Sequence, residues 1–242
     1  MKKEEYEKMQ MLEDSHFWFV GKRYFIETYL RKINSQLSKI LDVGSGTGGA
    51  TKYLSKFGAV TGVETNSFAI KMARQRGLKI IKGEVEKLPF KKNAFDLVTV
   101  FDVLYHKNVK NVNLAISEIR RVLKIRGYLL ITDSAFRSLS GKHSKSVAEA
   151  RRFTIAELKD ILHKNSSEII SSSYIFFLLF PLIFLKRNFL DRTSTQQQSD
   201  VFSINKLANG LIKKLLRLES WLLSYIKFPV GSSLIILAKK RN

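Results

Sequence analysis

The chain has 242 residues, of which 45% are hydrophobic and 26% charged, so it can bury a full core and is expected to be globular rather than disordered. It contains no cysteine, which excludes a disulfide framework, a thiolate metal site and a cysteine nucleophile, and no metal site is predicted. The net charge of +21 does not select a partner, because a basic surface attracts both nucleic acid and anionic lipid.

Residues 1–35 are predicted to form an N-terminal helical cap of one or two helices. The chain begins with polar sequence and no apolar h-region, so no signal peptide is expected and the protein is expected to be cytoplasmic. Basic residues exceed acidic ones by only 1 in this segment, but by 9 in residues 36–135 and by 11 in residues 136–242. The basic surface is therefore expected outside the cap.

Residues 39–66 have the pattern of a nucleoside-binding site. An apolar strand (40–43) meets a cluster of glycines, a helix follows (50–57), and a second strand (59–63) ends on Glu64. Glycines allow positive φ and let backbone N–H groups approach a ligand, while the start of the helix offers unpaired donors. A carboxylate at the end of the second strand can accept both hydroxyls of a ribose.

The glycines alone do not identify the nucleoside. Gly44, Gly46 and Gly49 also fit the dinucleotide pattern G-x-G-x-x-G, so a dehydrogenase is one alternative. Asp42 favours S-adenosylmethionine (SAM), because dinucleotide sites usually have an apolar residue there. A carboxylate suits a ligand that carries an ammonium and a sulfonium.

Two further runs carry a family resemblance: residues 83–90 (Gly-Glu-Val-Glu-Lys-Leu-Pro-Phe) and 93–98 (Asn-Ala-Phe-Asp-Leu-Val). With the glycine motif, they resemble the class I SAM-dependent methyltransferases (type 11), strongly over residues 39–131. The resemblance implies an α/β fold: a Rossmann-like, mostly parallel seven-stranded sheet with one antiparallel strand and helices on both faces. The methyltransferase domain would cover residues 36–242, with a helical apolar insertion at 177–231.

The resemblance also implies SAM as the cofactor and suggests a set of contacts to it. In this family, Glu84 would accept from the adenine amino group and the backbone of Val85 would meet the ring. Residues 16–23 look like a segment that lies over the cofactor, or that simply packs onto the domain. The predicted cofactor-binding residues are Asp42, Gly44, Ser45, Gly46, Gly48, Glu64, Thr65, Glu84, Val85 and Phe101.

His106 is the candidate catalytic residue. It follows a predicted buried strand (95–101) in a loop that both cofactor and acceptor should reach. Related enzymes often have a Glu-His pair here, and this chain has Tyr105-His106. A histidine can act as a general base near neutral pH, although a lone histidine can equally be structural.

The carboxyl-terminal third departs from a minimal methyltransferase. Predicted strands at 168–176 and 232–238 enclose an apolar run (174–185), too short to span a bilayer, and a helix at 204–228. Basic residues lie away from an apolar stripe on that helix, which fits either a membrane-surface element or a helix packed on the core. The stripe consists of Leu207, Leu211, Leu215, Leu218, Leu222 and Tyr225.

These features favour a SAM-dependent methyltransferase for an apolar or lipid-linked acceptor at an anionic membrane surface. One alternative is a methyltransferase for RNA or a soluble small molecule, which the charge alone suggests, although no RNA-binding module is present in the sequence. Another is a membrane-associated protein that binds SAM without turnover. The sequence leaves the oligomeric state open.

Overall fold

A computed structural model describes residues 3–136, 148–185 and 204–241 of the chain. Its centre is a seven-stranded sheet in the order β3-β2-β1-β4-β5-β7-β6. Strands β1 to β5 are parallel, and β7 is antiparallel to both of its neighbours, which confirms the predicted fold class. The strands are β1 Lys39–Val43, β2 Ala59–Glu64, β3 Ile80–Lys82, β4 Phe95–Phe101, β5 Leu123–Ser134, β6 Ser167–Ile175 and β7 Ser233–Lys240.

Helices cover both faces of the sheet, because its central strands are apolar on both sides. One core contains Ile116 of α5 and Leu158 of α6, and the other contains Phe25 of α2, Leu54 of α3 and Leu216 of α8. The helices are α1 Lys3–Leu12, α2 Phe17–Leu30, α3 Gly49–Leu54, α4 Ser67–Gln75, α5 Val112–Val122, α6 Ile155–Lys164, α7 Phe180–Leu185 and α8 Lys206–Leu222.

Two helix starts follow directly from local sequence. Asn66 Oδ1 accepts from the N–H groups of Phe68 (2.9 Å) and Ala69 (3.1 Å) at the start of α4. Thr154 and Glu157 form a capping box before α6. These side chains satisfy donors that a helix leaves unpaired in its first turn, so the residue type itself marks the boundary.

The fifth strand is longer than the sequence suggests. Residues 124–127 look like a turn before a strand at 128–132, but β5 already begins at Leu123, which pairs with Phe95 of β4. The register then shifts before Tyr128, and Arg126 has a φ of +63°. The expected turn is thus a bulge inside β5, because the residues on both sides of it pair with β4.

The N-terminal cap and the insertion pack against each other through α2 and α8. A Cβ on Gly21 would lie 2.3 Å from Leu216 Cδ1, so the glycine allows close approach of the helices. Further along, Thr28 Oγ1 and Ser220 Oγ are 3.0 Å apart. None of the helices in the described ranges is long and apolar enough to cross a membrane.

Candidate active site

A cavity of about 800 Å³ opens at the carboxyl ends of β1, β2 and β4. Ligands bind to open α/β sheets at this edge, where the strand order reverses, and here the order reverses between β1 and β4. The volume falls within the range of about 300 to 1,000 Å³ that is typical of small-molecule sites. The glycine loop (residues 44–49), the ends of β2 and β4, and helices α1 and α2 supply its walls.

The glycine loop holds its backbone against β2. The N–H groups of Gly44 and Ser45 donate to the carbonyl of Val63 at 2.8 and 3.0 Å. Gly44 has a φ of +76°, and a Cβ there would lie 2.2 Å from Val103 Cγ2. Both the conformation and the space require glycine, and the result is a bare backbone at the cavity wall.

Asp42 lies at the base of the cavity and is 1% exposed. Its Oδ2 accepts from Thr51 Oγ1 (2.6 Å) and its Oδ1 from Thr99 Oγ1 (2.8 Å). Burial, together with the negative charge of Glu64, raises the pKa of this carboxyl to about 6, although the two hydrogen bonds act in the opposite direction. Asp42 is therefore an acid whose ionised form a nearby cation would stabilise.

Glu64 ends β2 and binds the backbone on both sides of the cavity. Its Oε1 accepts from the N–H groups of Thr65 (2.8 Å) and Asn66 (2.9 Å), and its Oε2 accepts from the N–H of Gly46 (2.9 Å). The carboxylate is fixed in place, since three backbone donors hold it. Oε1 also accepts from Thr65 Oγ1 (3.2 Å), whereas Oε2, among the described residues, accepts only from the Gly46 N–H, so Oε2 can still accept from a ligand hydroxyl.

A turn after α1 closes the glycine-loop end of the cavity, which the sequence did not predict. The buried Glu13 accepts from Thr47 Oγ1 (2.9 Å) and forms an ion pair with Arg76. A Cβ on Gly49 would lie 2.3 Å from Glu13 Oε2. Partners 34 residues apart, such as Glu13 and Thr47, leave no local pattern that could have revealed them.

Helix α2 supplies part of the cavity wall. The ring of Trp18 lines the cavity and also stacks on Phe176 at 4.2 Å, so this segment packs onto the domain. The position of residues 16–23 over the cofactor stays a prediction. Phe19 also lines the cavity. The buried Lys22 forms an ion pair with Asp102, which follows β4 and has a φ of +59°. This part of the lining combines aromatic rings with one charged pair.

Comparison with known proteins assigns this architecture to a family. Residues 41–131 match the family model described as a methyltransferase domain. Residues 41–131 are thus a class I SAM-dependent methyltransferase domain. SAM is the cofactor of this family.

Curated relatives support the assignment over part of their length. The chain is 30% identical over 175 residues to the ubiquinone/menaquinone biosynthesis C-methyltransferase UbiE of Pseudomonas aeruginosa, covering 67% of this chain and 66% of that protein. It is 30% identical over 138 residues to the fatty-acid O-methyltransferase of Mycolicibacterium smegmatis, covering 53% and 50% respectively. The chain thus spans between one half and two thirds of the length of these two relatives.

Solved structures share the fold over 90% or more of the chain. A SAM-dependent methyltransferase from Thermotoga maritima has a TM-score of 0.59 at 20% identity, covering 98% of this chain and 95% of that chain. Phosphoethanolamine N-methyltransferase 2 of Haemonchus contortus, in complex with SAM, has a TM-score of 0.59 at 19% identity, covering 90% and 52%. At these identities the likeness concerns the fold alone.

Most of the predicted cofactor-binding residues meet at the cavity. Glu84 and Val85 both line the cavity, and Glu84 is exposed whereas Val85 is buried. Gly48 differs: it does not line the cavity, and a Cβ there would lie 2.3 Å from Leu78 Cδ1. The assignment of these residues to SAM stays a prediction. Those that line the cavity are Asp42, Gly44, Ser45, Gly46, Glu64, Thr65, Glu84, Val85 and Phe101.

The residues present fit SAM on structural grounds. Glu64 offers carboxylate oxygens to the ribose hydroxyls, and Gly44 leaves backbone exposed without a side chain. Asp42 places a buried carboxyl, with no cation among its hydrogen-bond partners, beside the position where a sulfonium and an ammonium would add positive charge.

His106 lies in the cavity wall, where the sequence placed it. Its Nδ1 accepts from the N–H of Asn108 at 3.2 Å. Burial and the neighbouring Lys107 lower the pKa of the imidazole, so the ring is neutral at pH 7. Because a backbone N–H can only donate, the neutral ring carries its proton on Nε2. In this arrangement His106 offers a donor, and it must give up the Asn108 hydrogen bond to accept a proton.

Proposed function

We propose that the chain transfers the methyl group of SAM to an apolar or lipid-linked acceptor at a membrane surface, within the cytoplasm. The observation that carries the proposal is the mixed chemistry of the cavity lining. The lining includes polar backbone and carboxylates as well as the aromatic rings of Trp18 and Phe19. The polar groups suit a nucleoside, and the aromatic rings suit an apolar group.

SAM supplies a methyl group on a sulfonium: the acceptor atom would form a bond to the methyl carbon while the carbon–sulfur bond breaks, and the sulfur would leave as a neutral thioether. The protein must then align the two reactants. Alignment alone can contribute about 7 to 11 kcal/mol, so no catalytic cluster is required. The carboxylate of Glu64 would hold the ribose, Glu84 the adenine amino group, and the carboxylate of Asp42 would stabilise the positive end of the ligand.

An apolar acceptor agrees with the names of relatives. One is a fatty-acid O-methyltransferase and another a ubiquinone/menaquinone biosynthesis C-methyltransferase. Each name applies to that protein only. For this chain, the aromatic rings of α2 beside the cavity independently favour an apolar acceptor.

The test is transfer of labelled methyl from SAM into a whole-cell extract that is then split into organic, aqueous and RNA fractions. Label in the organic fraction is expected. The blank is Glu64→Gln, which keeps the shape of the side chain and removes the charge. Loss of charge-assisted hydrogen bonds to the ribose should weaken SAM binding about 10- to 100-fold. The matched control is Glu168→Gln on edge strand β6, an exposed glutamate that does not line the cavity.

Each outcome separates the candidates. Organic label that Glu64→Gln loses and Glu168→Gln keeps supports the proposal. Label only in the aqueous or RNA fraction would show that the acceptor is a soluble molecule or RNA instead of an apolar molecule. Heat from SAM binding without label in any fraction would favour a protein that binds SAM without turnover.

A further inference from the structure

Helix α8 has two apolar sides, and only one of them faces the protein. The inner side carries Leu216, Glu219 and Ser220, which are buried. The opposite side carries a second apolar stripe, here named the outer face. It consists of Leu207 (80% exposed), Leu211 (66%), Leu218 (50%) and Trp221 (57%). At 3.6 residues per turn these four residues lie within roughly a quarter of the helix circumference.

The inner side accounts for the attachment of the helix. Both oxygens of Glu219 accept backbone N–H groups after β6, from Phe177 (2.8 Å) and Leu178 (3.1 Å). Leu216 meets Gly21 of α2, and Ser220 Oγ donates to the carbonyl of Tyr24 (3.2 Å). The outer face takes no part in these contacts, and within the described part of the chain its four large apolar side chains stay exposed.

The exposed apolar surface continues past the end of the helix. Tyr225 is 74% exposed and Ile226 49% exposed, and the rings of Trp221 and Tyr225 lie 5.4 Å apart. Paired Trp and Tyr side chains are typical of the interface between apolar and aqueous phases, because each has an apolar body and a polar tip.

Positive charge borders the outer face. Lys206, Lys213 and Arg217 lie along one flank of α8, and Lys214 lies within the stripe. The only acid of this helix is Glu219, which is buried on the inner side. A helix with an apolar face, flanking lysines and an aromatic anchor has the chemistry of an element that lies in a membrane interface.

We propose that the outer face of α8 docks on the surface of an anionic lipid bilayer. The proposal rests on the proposed function and names the surface through which the chain would reach a lipid-linked acceptor. A second copy of this chain is a poorer occupant, since two molecules of charge +21 repel each other. Nucleic acid would use the cations but has no use for the leucine stripe.

The docked orientation would bring the cavity to the bilayer. At the start of α8, Asn209 Oδ1 accepts from the N–H of Phe17 (2.8 Å) and Asn209 Nδ2 donates to the carbonyl of Ser15 (3.0 Å). This joint lies next to Trp18 and Phe19 in the chain, and both of these residues line the cavity. An acceptor in the bilayer would then have a short path into the cavity.

The test is sedimentation of the full-length chain with vesicles of phosphatidylcholine, either pure or with about 30% phosphatidylglycerol, at low and high salt. The wild-type chain should sediment with the anionic vesicles and be released by salt. The double variant Leu211→Gln/Leu218→Gln should bind about a hundredfold more weakly, at about tenfold for each leucine removed from the lipid. Its SAM binding and circular dichroism should be unchanged, because both residues are exposed and outside the cavity.

The matched control is Leu114→Gln/Ile125→Gln, which changes two exposed apolar residues (48% and 58%) outside α8. Equal vesicle binding of the two double variants would overturn the proposal. Failure of the wild-type chain to sediment with anionic vesicles would overturn it as well. A change from dimer to monomer in the α8 variant, without loss of vesicle binding, would assign the face to a second copy and overturn it as well. Vesicle binding by a chain that shows no heat with SAM would instead contradict the proposed function and leave the docking surface standing.

Discussion

Replacing Asp42 by asparagine should stabilise the protein at neutral pH and weaken its binding of SAM. Burial raises the pKa of the Asp42 carboxyl from its ordinary value of 3.8 to about 6. The folded state therefore binds a proton more tightly than the unfolded state does. A shift of about two pKa units corresponds to about 3 kcal/mol, by which ionised Asp42 lowers the free energy of unfolding above pH 6.

The pH dependence fixes the sign of the effect. Between about pH 4 and pH 6 the folded state holds more protons than the unfolded state, so the contribution of Asp42 to stability falls as the pH rises. Asparagine does not titrate and lacks this fall. The free energy of unfolding of the variant, relative to wild type, should therefore increase by about 2 kcal/mol between about pH 4.5 and about pH 7.5. Urea denaturation at both pH values, followed by tryptophan fluorescence, measures it.

Asp96→Asn is a control of opposite sign. Burial alone would raise the pKa of Asp96, but hydrogen bonds from Lys124 and from the N–H groups of Lys39 and Ser38 outweigh it and lower the pKa. Asp96 therefore adds stability at neutral pH that is lost as the pH falls through its folded pKa, and Asp96→Asn should be destabilised at pH 7.5. A pH-independent difference between Asp42→Asn and wild type would refute the reasoning.

SAM binding provides the second half of the test. A positively charged ligand beside Asp42 should lower its pKa, so binding near pH 6 should release protons. Calorimetry in two buffers of different ionisation enthalpy detects that release. Asp42→Asn should bind SAM more weakly and release no proton from this site. Proton release that persists in the variant would place the titrating group elsewhere.

Three further predictions concern backbone, buried charge and chemistry. Gly44→Ala should lower the free energy of unfolding by about 3 kcal/mol and Gly77→Ala by about 1 kcal/mol, both measured by urea denaturation. Both glycines have a positive φ (+76° and +75°), but only the methyl group at position 44 would clash with Val103. Equal losses in the two variants would contradict the clash. Glu219→Ala should lower the free energy of unfolding by about 3 kcal/mol, because it leaves buried backbone donors unpaired. Glu219→Gln should lower it by less, and thermal denaturation of both variants measures the difference. His106→Asn should slow methyl transfer less than about tenfold, because Nδ1 is already occupied; a loss of about 100-fold or more, with loss of the acid limb of the pH profile, would make His106 the base.

Local chemistry made the parallel half of the sheet predictable. Asn66 and Thr154 mark helix starts by residue type, and the glycine loop between two apolar runs predicts a strand, a turn and a helix. The position of Glu64 at the end of β2 followed from the same pattern. In each case the determining contacts lie within a few residues, so the sequence contains both partners in order.

The contacts that complete the site are long-range, and the sequence does not pair them. Thr99 reaches Asp42 from a strand 57 residues away, and Lys22 reaches Asp102 across 80 residues. Thr99 and Asp102 are common residue types and lie in none of the motifs that the sequence contains. Their roles arise only when the parallel strands bring the carboxyl ends together.

The orientation of α8 was the other open point. The periodicity of apolar residues predicts the helix. Because apolar residues lie on opposite sides of it, the periodicity alone does not say which side is buried. Leu216 and Leu223 are buried while Leu207 and Leu218 are exposed. Contacts with Gly21 and the chain after β6 select the inner side, and neither partner is near α8 in sequence.

Two buried carboxyls, both with raised pKa values, show how location separates structure from function. Burial raises the pKa of Glu219, yet its two oxygens are used by backbone N–H groups and it does not line the cavity. Burial also raises the pKa of Asp42, whose oxygens are held by two hydroxyls at a cavity wall. A cationic ligand can offset the desolvation of Asp42 but cannot reach Glu219. Addition of SAM should therefore shift the titration of Asp42 and leave that of Glu219 unchanged, and carboxyl NMR resonances resolved over pH would separate the two.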